Sequence, residues 1–101
     1  MPYLLKKDSR ILSDIEEAVS FYDAISLELG EKFEESLFFA ITKIEKHPHH
    51  YFNLYQKFRR VNLPNFPNML IYIVREPSKE IIMLGLFHHY RDSKRIRGRL
   101  K

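Results

Sequence analysis

The chain has 101 residues, 45% of them hydrophobic, and a formal net charge of +4, which is enough sequence for one domain with its own hydrophobic core. It contains no cysteine, so a disulfide framework, a thiolate metal site and a cysteine nucleophile are excluded. No signal peptide is recognisable, and no apolar run approaches the roughly 20 residues that span a bilayer, so we expect a single domain over residues 1–101, located in the cytoplasm with no membrane contact.

The charge is divided unevenly along the chain. Residues 8–46 carry 4 basic and 10 acidic side chains, whereas residues 47–101 carry 11 basic and 3 acidic ones. The last 14 residues alone hold 6 Lys and Arg residues against Asp92. Such a basic tail is either a solvated chain end or a surface that contacts an acidic partner, which would be nucleic acid or protein.

The first half of the chain predicts a strand followed by two amphipathic helices. A short strand candidate lies at residues 3–5, and apolar residues then recur at helical spacing over residues 11–29. We expect Gly30 to end the first helix. The second helix carries its apolar face on residues 33–44 and ends before Pro48. So short a connection predicts a helical hairpin that packs on one face of a sheet.

Residues 49–56 are predicted to be a loop rich in aromatic side chains. The three histidines within residues 47–50 match no familiar metal-ligand spacing, and the loop contains no carboxylate, so we expect no metal there. The chain also lacks a glycine-rich phosphate loop, and we expect no cofactor. Tyr51, Phe52 and Tyr55 are predicted to cover one end of the core rather than to form a base-stacking platform.

The second half predicts three consecutive strands at residues 59–63, 69–74 and 81–87. The last two are apolar at nearly every position, which indicates central strands, and residues 75–80 between them read as a hairpin turn. Prolines in residues 64–68 separate the first two strands. The predicted fold is α+β, in the order β-α-α-β-β-β, with the helical hairpin on one face of a mostly antiparallel sheet. The other face would be partly open, beside the basic tail.

Histidine, tyrosine and arginine residues gather at the predicted end of the last strand. Together with Arg60 on an adjacent strand, His88, Tyr90 and Arg91 could serve metal-free RNA cleavage. That reaction needs a base for the 2′-hydroxyl proton, an acid for the leaving oxygen and a cation for the charge on the phosphate. The same residue types can equally bind a protein, so catalysis is one of two interpretations.

Partner contact is the other interpretation of these basic residues. The candidates for it are Arg59, Arg60, His89, Arg91, Arg95, Arg97 and Arg99. Because side chains alternate along a strand, only one of Arg59 and Arg60 can face the open side of the sheet, and the same holds for His88 and His89. The histidine that points inward is expected to make a structural hydrogen bond.

Six short motifs in a particular order and spacing carry a resemblance over nearly the whole chain. They are DIEEAVSFY at residues 14–22, LGEKF at 29–33, IEKHP at 44–48, FRR at 58–60, FP at 66–67 followed by IY at 71–72, and LFHHYRD at 86–92. The sequence thereby resembles the ParE/RelE family of toxins from bacterial type II toxin–antitoxin modules, especially its ParE or plasmid-stabilisation branch. The resemblance implies a toxin with the fold predicted above, held inactive in a hetero-oligomer by a cognate antitoxin whose extended segment wraps its surface.

The family contains two activities, and the resemblance favours one of them. RelE-like members cleave messenger RNA on the ribosome, and ParE-like members block DNA gyrase without being nucleases. The RelE mechanism implies an arginine near Asn68 or Met69, a second arginine where Tyr90 or Arg91 stands, and a tyrosine in the tail. The chain has no arginine at the first place and no tyrosine beyond Tyr90.

These departures predict a gyrase poison that is not an enzyme. The alternative is a ribosome-dependent mRNA endoribonuclease that uses Arg60, His88, Tyr90 and Arg91. A third interpretation is a relic that only binds its antitoxin.

Overall fold

The computed structural model describes residues 3–100. Their elements are β1 (Leu4–Lys7), α1 (Ile11–Ile25), α2 (Leu27–Lys46), β2 (Asn53–Tyr55), β3 (Phe58–Asn62), β4 (Asn68–Arg75), β5 (Glu80–His88) and α3 (Ser93–Arg99). Among these residues, no helix combines the length and hydropathy that crossing a bilayer would require.

The strands form one five-stranded sheet in the order β1-β5-β4-β3-β2. β1 runs parallel to β5, and the other neighbours are antiparallel. The central pair, β4 and β5, runs in register from Asn68 opposite His88 to Arg75 opposite Glu80, with one irregularity after Ile71. Residues 68–73 are all buried, which is what an apolar central strand with both faces covered requires. The predicted α+β class and the central hairpin are therefore confirmed.

The sheet has two hydrophobic faces of unequal size. The helical face carries α1 and α2 on a large core that includes Tyr72 and Leu86 of the sheet. The second face, which we define by Phe58, Ile71 and Phe87, carries a smaller cluster. Ile96 and Leu100 of the C-terminal segment pack against that cluster.

The second face is thus less open than the sequence predicted, because the tail beside it folds into α3. Ile96 and Leu100 stand four residues apart, so one side of a short helix presents both to the sheet. A pair of apolar residues in a run of cations is too weak a pattern for a helix to be predicted from it.

The boundary between the two long helices was predicted wrongly. The chain breaks at Ser26, whose backbone is extended and whose Oγ accepts a hydrogen bond from the Leu29 amide, as in an ordinary N-cap. Gly30 lies inside α2 rather than ending α1. A Cβ at Gly30 would lie 1.6 Å from Oδ1 of Asp23, so this glycine serves the close approach of the two helices.

The aromatic loop contains a short strand that the sequence did not predict. β2 pairs with β3 at the edge of the sheet through Asn53 opposite Arg59. Tyr51 packs against the large core, whereas Phe52 and Tyr55 are 57% and 56% exposed. The predicted cover over the core is therefore made by Tyr51 alone, and the other two rings remain at the surface.

Candidate functional site

His88, at the end of β5, lies on the helical face and has one ring nitrogen fully engaged. Its register partner Asn68 belongs to that face, where Asn68 Oδ1 accepts a hydrogen bond from the Tyr22 hydroxyl at 2.8 Å. Nδ1 of His88 accepts hydrogen bonds from the amides of Tyr90 and Arg91, at 3.1 and 3.2 Å. Because an accepting nitrogen carries no proton, the neutral ring has its proton on Nε2.

The environment of His88 keeps it neutral. Burial is the main cause that lowers the pKa of His88, and the charge of Arg91 lowers it further, while Asp92 opposes both. Protonating Nδ1 would break two backbone hydrogen bonds, and Nε2 already carries the proton. His88 is therefore a structural hydrogen-bond acceptor of the turn after β5, as predicted for the inward-facing histidine, and it is poorly suited to be a general base.

Arg60 and His89 lie together on the second face. Arg60 stands opposite Ile71 in the sheet register, and its guanidinium stacks on the Phe52 ring with 4.6 Å between Cζ and the ring centroid. Burial lowers the pKa of His89, and the positive charge of Arg60 lowers it further. The Arg60 Nε atom is buried and has no hydrogen-bond partner within residues 3–100.

The candidate nuclease residues are consequently divided between the two faces of the sheet. Arg60 points to the second face, while His88 and Arg91 lie on the helical side, where the Arg91 guanidinium sits 4.4 Å from the centre of the Phe21 ring. Tyr90 is 83% exposed at the turn between them. The sequence predicted one constellation of four residues, and the fold does not assemble it.

A cavity of about 220 Å³ lies between α1 and the turn after β5. Tyr22, Asn68, His88 and Arg91 are among the residues that line it. Asp14, which is also part of the lining, has its carboxylate engaged by side chains of α3. The cavity is therefore closed at one side by α3.

Arg59 faces away from Arg60, as strand alternation predicts. Its Nη1 donates to the carbonyl oxygens of Tyr51 and His49 at 2.9 and 3.2 Å. This arginine holds the loop between α2 and β2 against the sheet, so its contacts in the structure are structural.

The tail arginines also differ from one another. The Arg99 side chain is 9% exposed and pairs with Asp14, and Arg95 pairs with Glu17 through two contacts of 3.0 and 3.2 Å. Arg97 is exposed and has no carboxylate within 4.0 Å among residues 3–100. Of the four tail arginines predicted to bind a partner, Arg91 and Arg97 are exposed without such an ion pair in the described part of the chain.

Asp14 is the important residue that sequence reasoning missed. It is 5% exposed and lies on the buried side of α1 between Ile11 and Tyr22. A carboxylate three residues after Ile11 and eight before Tyr22 falls on the apolar stripe of a helix. That position was the available signal, since a buried carboxylate needs a cationic partner.

No group of three or more histidine, aspartate and glutamate residues within residues 3–100 is placed to hold a metal ion. Asn68 and Met69, near which the resemblance to RelE implies an arginine, are both buried. The second face carries Arg60 and His89, and the Arg99 guanidinium lies 5.1 Å from the centre of the Phe87 ring in the same cluster.

No protein-family model matches the sequence, and no curated protein matches it. Solved structures do. The chain is similar to a chain of the chromosomal ParDE toxin–antitoxin system from P. aeruginosa, with 17% identity and a TM-score of 0.73 over 85% of this chain and 95% of that one. It is also similar to a double arginine-to-alanine mutant of the E. coli toxin RelE in the free state, with 16% identity and a TM-score of 0.69 over 99% and 96% of the two chains.

The same RelE mutant in complex with a peptide of its antitoxin RelBc gives 14% identity and a TM-score of 0.64, covering 100% of this chain and 96% of that one. These likenesses show that the chain has the RelE/ParE toxin fold. At such identities they do not separate the ParE branch from the RelE branch.

Proposed function

We propose that this chain is the toxin of a bacterial type II toxin–antitoxin module and that it acts in the cytoplasm by blocking DNA gyrase. Two of the similar structures are described as toxins, and the third as part of a toxin–antitoxin system. A cognate antitoxin would neutralise the chain in a hetero-oligomer, as one neighbour bound to an antitoxin peptide suggests. The ParE or plasmid-stabilisation branch is the proposed subgroup.

We favour gyrase over RNA as the target because the candidate catalytic residues lie on two different faces of the sheet. RNA cleavage without a metal needs a base, an acid and a phosphate-holding cation around one bond. Arg60 and His88 lie on opposite faces of the sheet, and Nδ1 of His88 accepts two backbone hydrogen bonds. A chain that binds and blocks another protein needs no such constellation.

The experiment is a supercoiling assay in which the purified chain is titrated into gyrase with relaxed plasmid DNA. We expect loss of supercoiling and an accumulation of cleaved DNA, both reversed when antitoxin is added before the toxin. His88→Asn, which keeps a hydrogen-bond acceptor beside the two amides, should inhibit as the parent does. Unchanged supercoiling at large molar excess of folded protein would contradict the proposal.

A second candidate function, ribosome-dependent cleavage of messenger RNA, is favoured by the neighbouring pair on the second face. Arg60 and His89 share that face, and His89 has a pKa lowered by burial and by Arg60. A neutral histidine beside a guanidinium can take a proton while the cation holds a phosphate. The relevant base would then be His89 and not His88.

This alternative has its own assay, in which translating ribosomes are mixed with the chain and the messenger is mapped for cuts. His89→Ala and Arg60→Ala should each abolish cleavage if the pair is catalytic, whereas His88→Asn should leave it. Absence of ribosome-dependent cuts would remove this candidate.

A further inference from the structure

The cavity between α1 and the turn after β5 contains two hydrogen-bond donors that the chain does not use. Asn68 is 4% exposed, and its Oδ1 accepts a hydrogen bond from the Tyr22 hydroxyl, which leaves its Nδ2 group as a donor. The second donor is the Nε2–H group of His88, because Nδ1 of that ring accepts from the two turn amides. Neither nitrogen donates a hydrogen bond to a group within residues 3–100. Unused donors favour a ligand that brings acceptor atoms.

The two donors lie side by side and face open space. Asn68 and His88 are directly opposite in the register of β4 and β5, so their Cβ atoms are about 5 Å apart. Within residues 3–100, the fully buried side-chain polar atom without a partner is Nε of Arg60, on the other face of the sheet. The free nitrogens of Asn68 and His88 are therefore reachable by solvent, and both residues line the cavity. One ligand group in the cavity can accept from both.

Arg91 adds a positive charge to the same cavity. Its guanidinium lies 4.4 Å from the centre of the Phe21 ring and has no carboxylate oxygen within 4.0 Å among residues 3–100. Burial raises the pKa of Tyr22 and lowers that of His88, and the charge of Arg91 acts on both groups by favouring the less protonated form. The charge of Arg91 thus reaches two walls of the cavity, and it is available to an anion.

The acidic side chains of the lining already have partners. Asp14 pairs with Arg99 at 2.7 Å, Glu17 pairs with Arg95 at 3.0 Å, and Asp92 accepts a hydrogen bond from the backbone amide of residue 88 at 2.7 Å. These three carboxylates balance the formal charges of Arg91, Arg95 and Arg99. A ligand with one negative charge can therefore be held beside Arg91, whereas a second negative charge would be repelled by the carboxylates.

The remaining walls and the size of the cavity limit the body of the ligand. Ala18, Phe21 and Leu86 supply apolar surface, which favours a hydrocarbon part over a wholly polar ion. The volume of about 220 Å³ is below the roughly 300 Å³ at which sites for drug-sized ligands begin. The cavity therefore suits a molecule with a few carbon atoms.

We propose that this cavity binds a small organic monocarboxylate. The carboxylate accepts hydrogen bonds from Nδ2 of Asn68 and Nε2 of His88 and pairs with the Arg91 guanidinium. The short hydrocarbon part lies against Phe21 and Leu86. The site is on the helical face of the sheet, and the inference does not depend on the proposed function.

The test is a titration of the isotope-labelled, purified chain with butyrate, followed by NMR. Butyramide, which has the same size without the charge, and inorganic phosphate serve as reference ligands. We expect butyrate to shift the side-chain amide resonances of Asn68 and the ring nitrogen resonances of His88 in a saturable way. The dissociation constant should be about 1 mM or below, which is within the range open to so small a ligand. Butyramide and phosphate should each bind at least about 5-fold more weakly, because each lacks part of the match in charge or shape.

Variants of the lining locate the site. Arg91→Gln should weaken butyrate binding by roughly 5- to 20-fold, as expected for loss of a charge-assisted hydrogen bond from a partly solvated cation. Asn68→Leu combined with Tyr22→Phe removes the donor and its hydroxyl partner together, which limits the cost to folding, and should weaken binding to a similar extent. Lys32→Gln on α2 is the matched control and should leave the affinity within twofold. Circular dichroism and thermal unfolding check that each variant is folded.

Four outcomes would overturn the inference. They are equal binding of butyrate and butyramide, phosphate binding as tight as that of butyrate, an affinity unchanged by Arg91→Gln, and no saturable shift of the Asn68 and His88 resonances at about 10 mM butyrate. Arg91 is exposed, so its substitution remains informative even if the double variant fails to fold. The assay contains neither gyrase nor ribosomes, so its failure and a failure of the proposed function are separate results.

Discussion

Arg99 of α3 reaches across the edge of β5 and donates two hydrogen bonds to the buried carboxylate of Asp14 in α1, at 2.7 and 3.3 Å. β1 stops pairing with β5 at Met83, so the backbone beyond that point lacks a strand neighbour on this side. Nη1 of Arg99 donates to the Leu84 carbonyl, and the Leu86 amide donates to Asp14. The ion pair thus takes the place of the missing strand and fixes α3 to the core.

Removing one member of this pair should be strongly destabilising. Arg99→Leu leaves the Asp14 carboxylate buried without its main cation. Asp14→Ala leaves the Arg99 guanidinium without its carboxylate partner. We expect either change to lower the free energy of unfolding by about 3–5 kcal/mol, measured by urea denaturation. Arg10→Ala, which removes the exposed pair of Arg10 with Asp8, should cost less than about 1 kcal/mol. Equal losses in the two experiments would contradict this account.

Two glycines near the tail should respond in opposite directions to alanine. A Cβ at Gly85 would lie 2.5 Å from the Phe87 ring and 2.7 Å from Nη1 of Arg99, whereas a Cβ at Gly98 would meet nothing within 4 Å. Overpacking should make Gly85→Ala destabilising by about 1–3 kcal/mol. Gly98→Ala, within α3, should be stabilising by up to about 1 kcal/mol. Thermal unfolding of both variants beside the parent measures the contrast, and a neutral Gly85→Ala would refute it.

His88 should make stability depend on pH below neutrality. Burial lowers its pKa in the folded chain, so the unfolded chain, with an ordinary histidine pKa of about 6.5, takes up the proton first as pH falls. The stabilising contribution is fully present above pH 6.5 and is lost as pH falls through the lower folded-state pKa.

Asparagine at position 88 does not titrate in that range. As pH falls below 7, the free energy of unfolding of His88→Asn should therefore decrease less steeply than that of the parent. His89, whose pKa is also lowered by burial and by Arg60, should account for part of the slope that remains. Chemical denaturation at a series of pH values below 7 provides the comparison, and identical slopes for parent and variant would contradict the assignment.

The tail cations should be tested by substitution rather than by truncation. Truncation after Asp92 would remove Arg99 and expose the apolar cluster beneath Ile96, so loss of activity would report unfolding. Lys94 and Arg97 are exposed. If gyrase is the target, the double change Lys94→Glu with Arg97→Glu should weaken inhibition by roughly 10-fold, since charges at the edge of an interface act mainly on association. Lys32→Glu is the matched control. Equal inhibition of gyrase by the parent, the double variant and this control would exclude a role for the tail.

The sequence by itself determined the architecture: two amphipathic helices and apolar central strands leave few alternatives to a helical hairpin on an antiparallel sheet. Strand alternation also separated Arg59 from Arg60 correctly. The periodicity of hydrophobic residues predicts which side chains are buried, and it does so reliably over long helices and strands. The break at Ser26 was missed because Gly30 fits a helix end equally well in isolation.

Only the tertiary structure decided which residues meet. Asp14 and Arg99 are 85 positions apart, and their pairing depends on where β1 stops and α3 begins. The same holds for the separation of His88 from Arg60, since the face on which each side chain lies is set by the pairing register of β3, β4 and β5 rather than by composition. The sequence gives the chemistry of each side chain. The distances between side chains that make a site depend on long-range packing, which local sequence patterns do not predict.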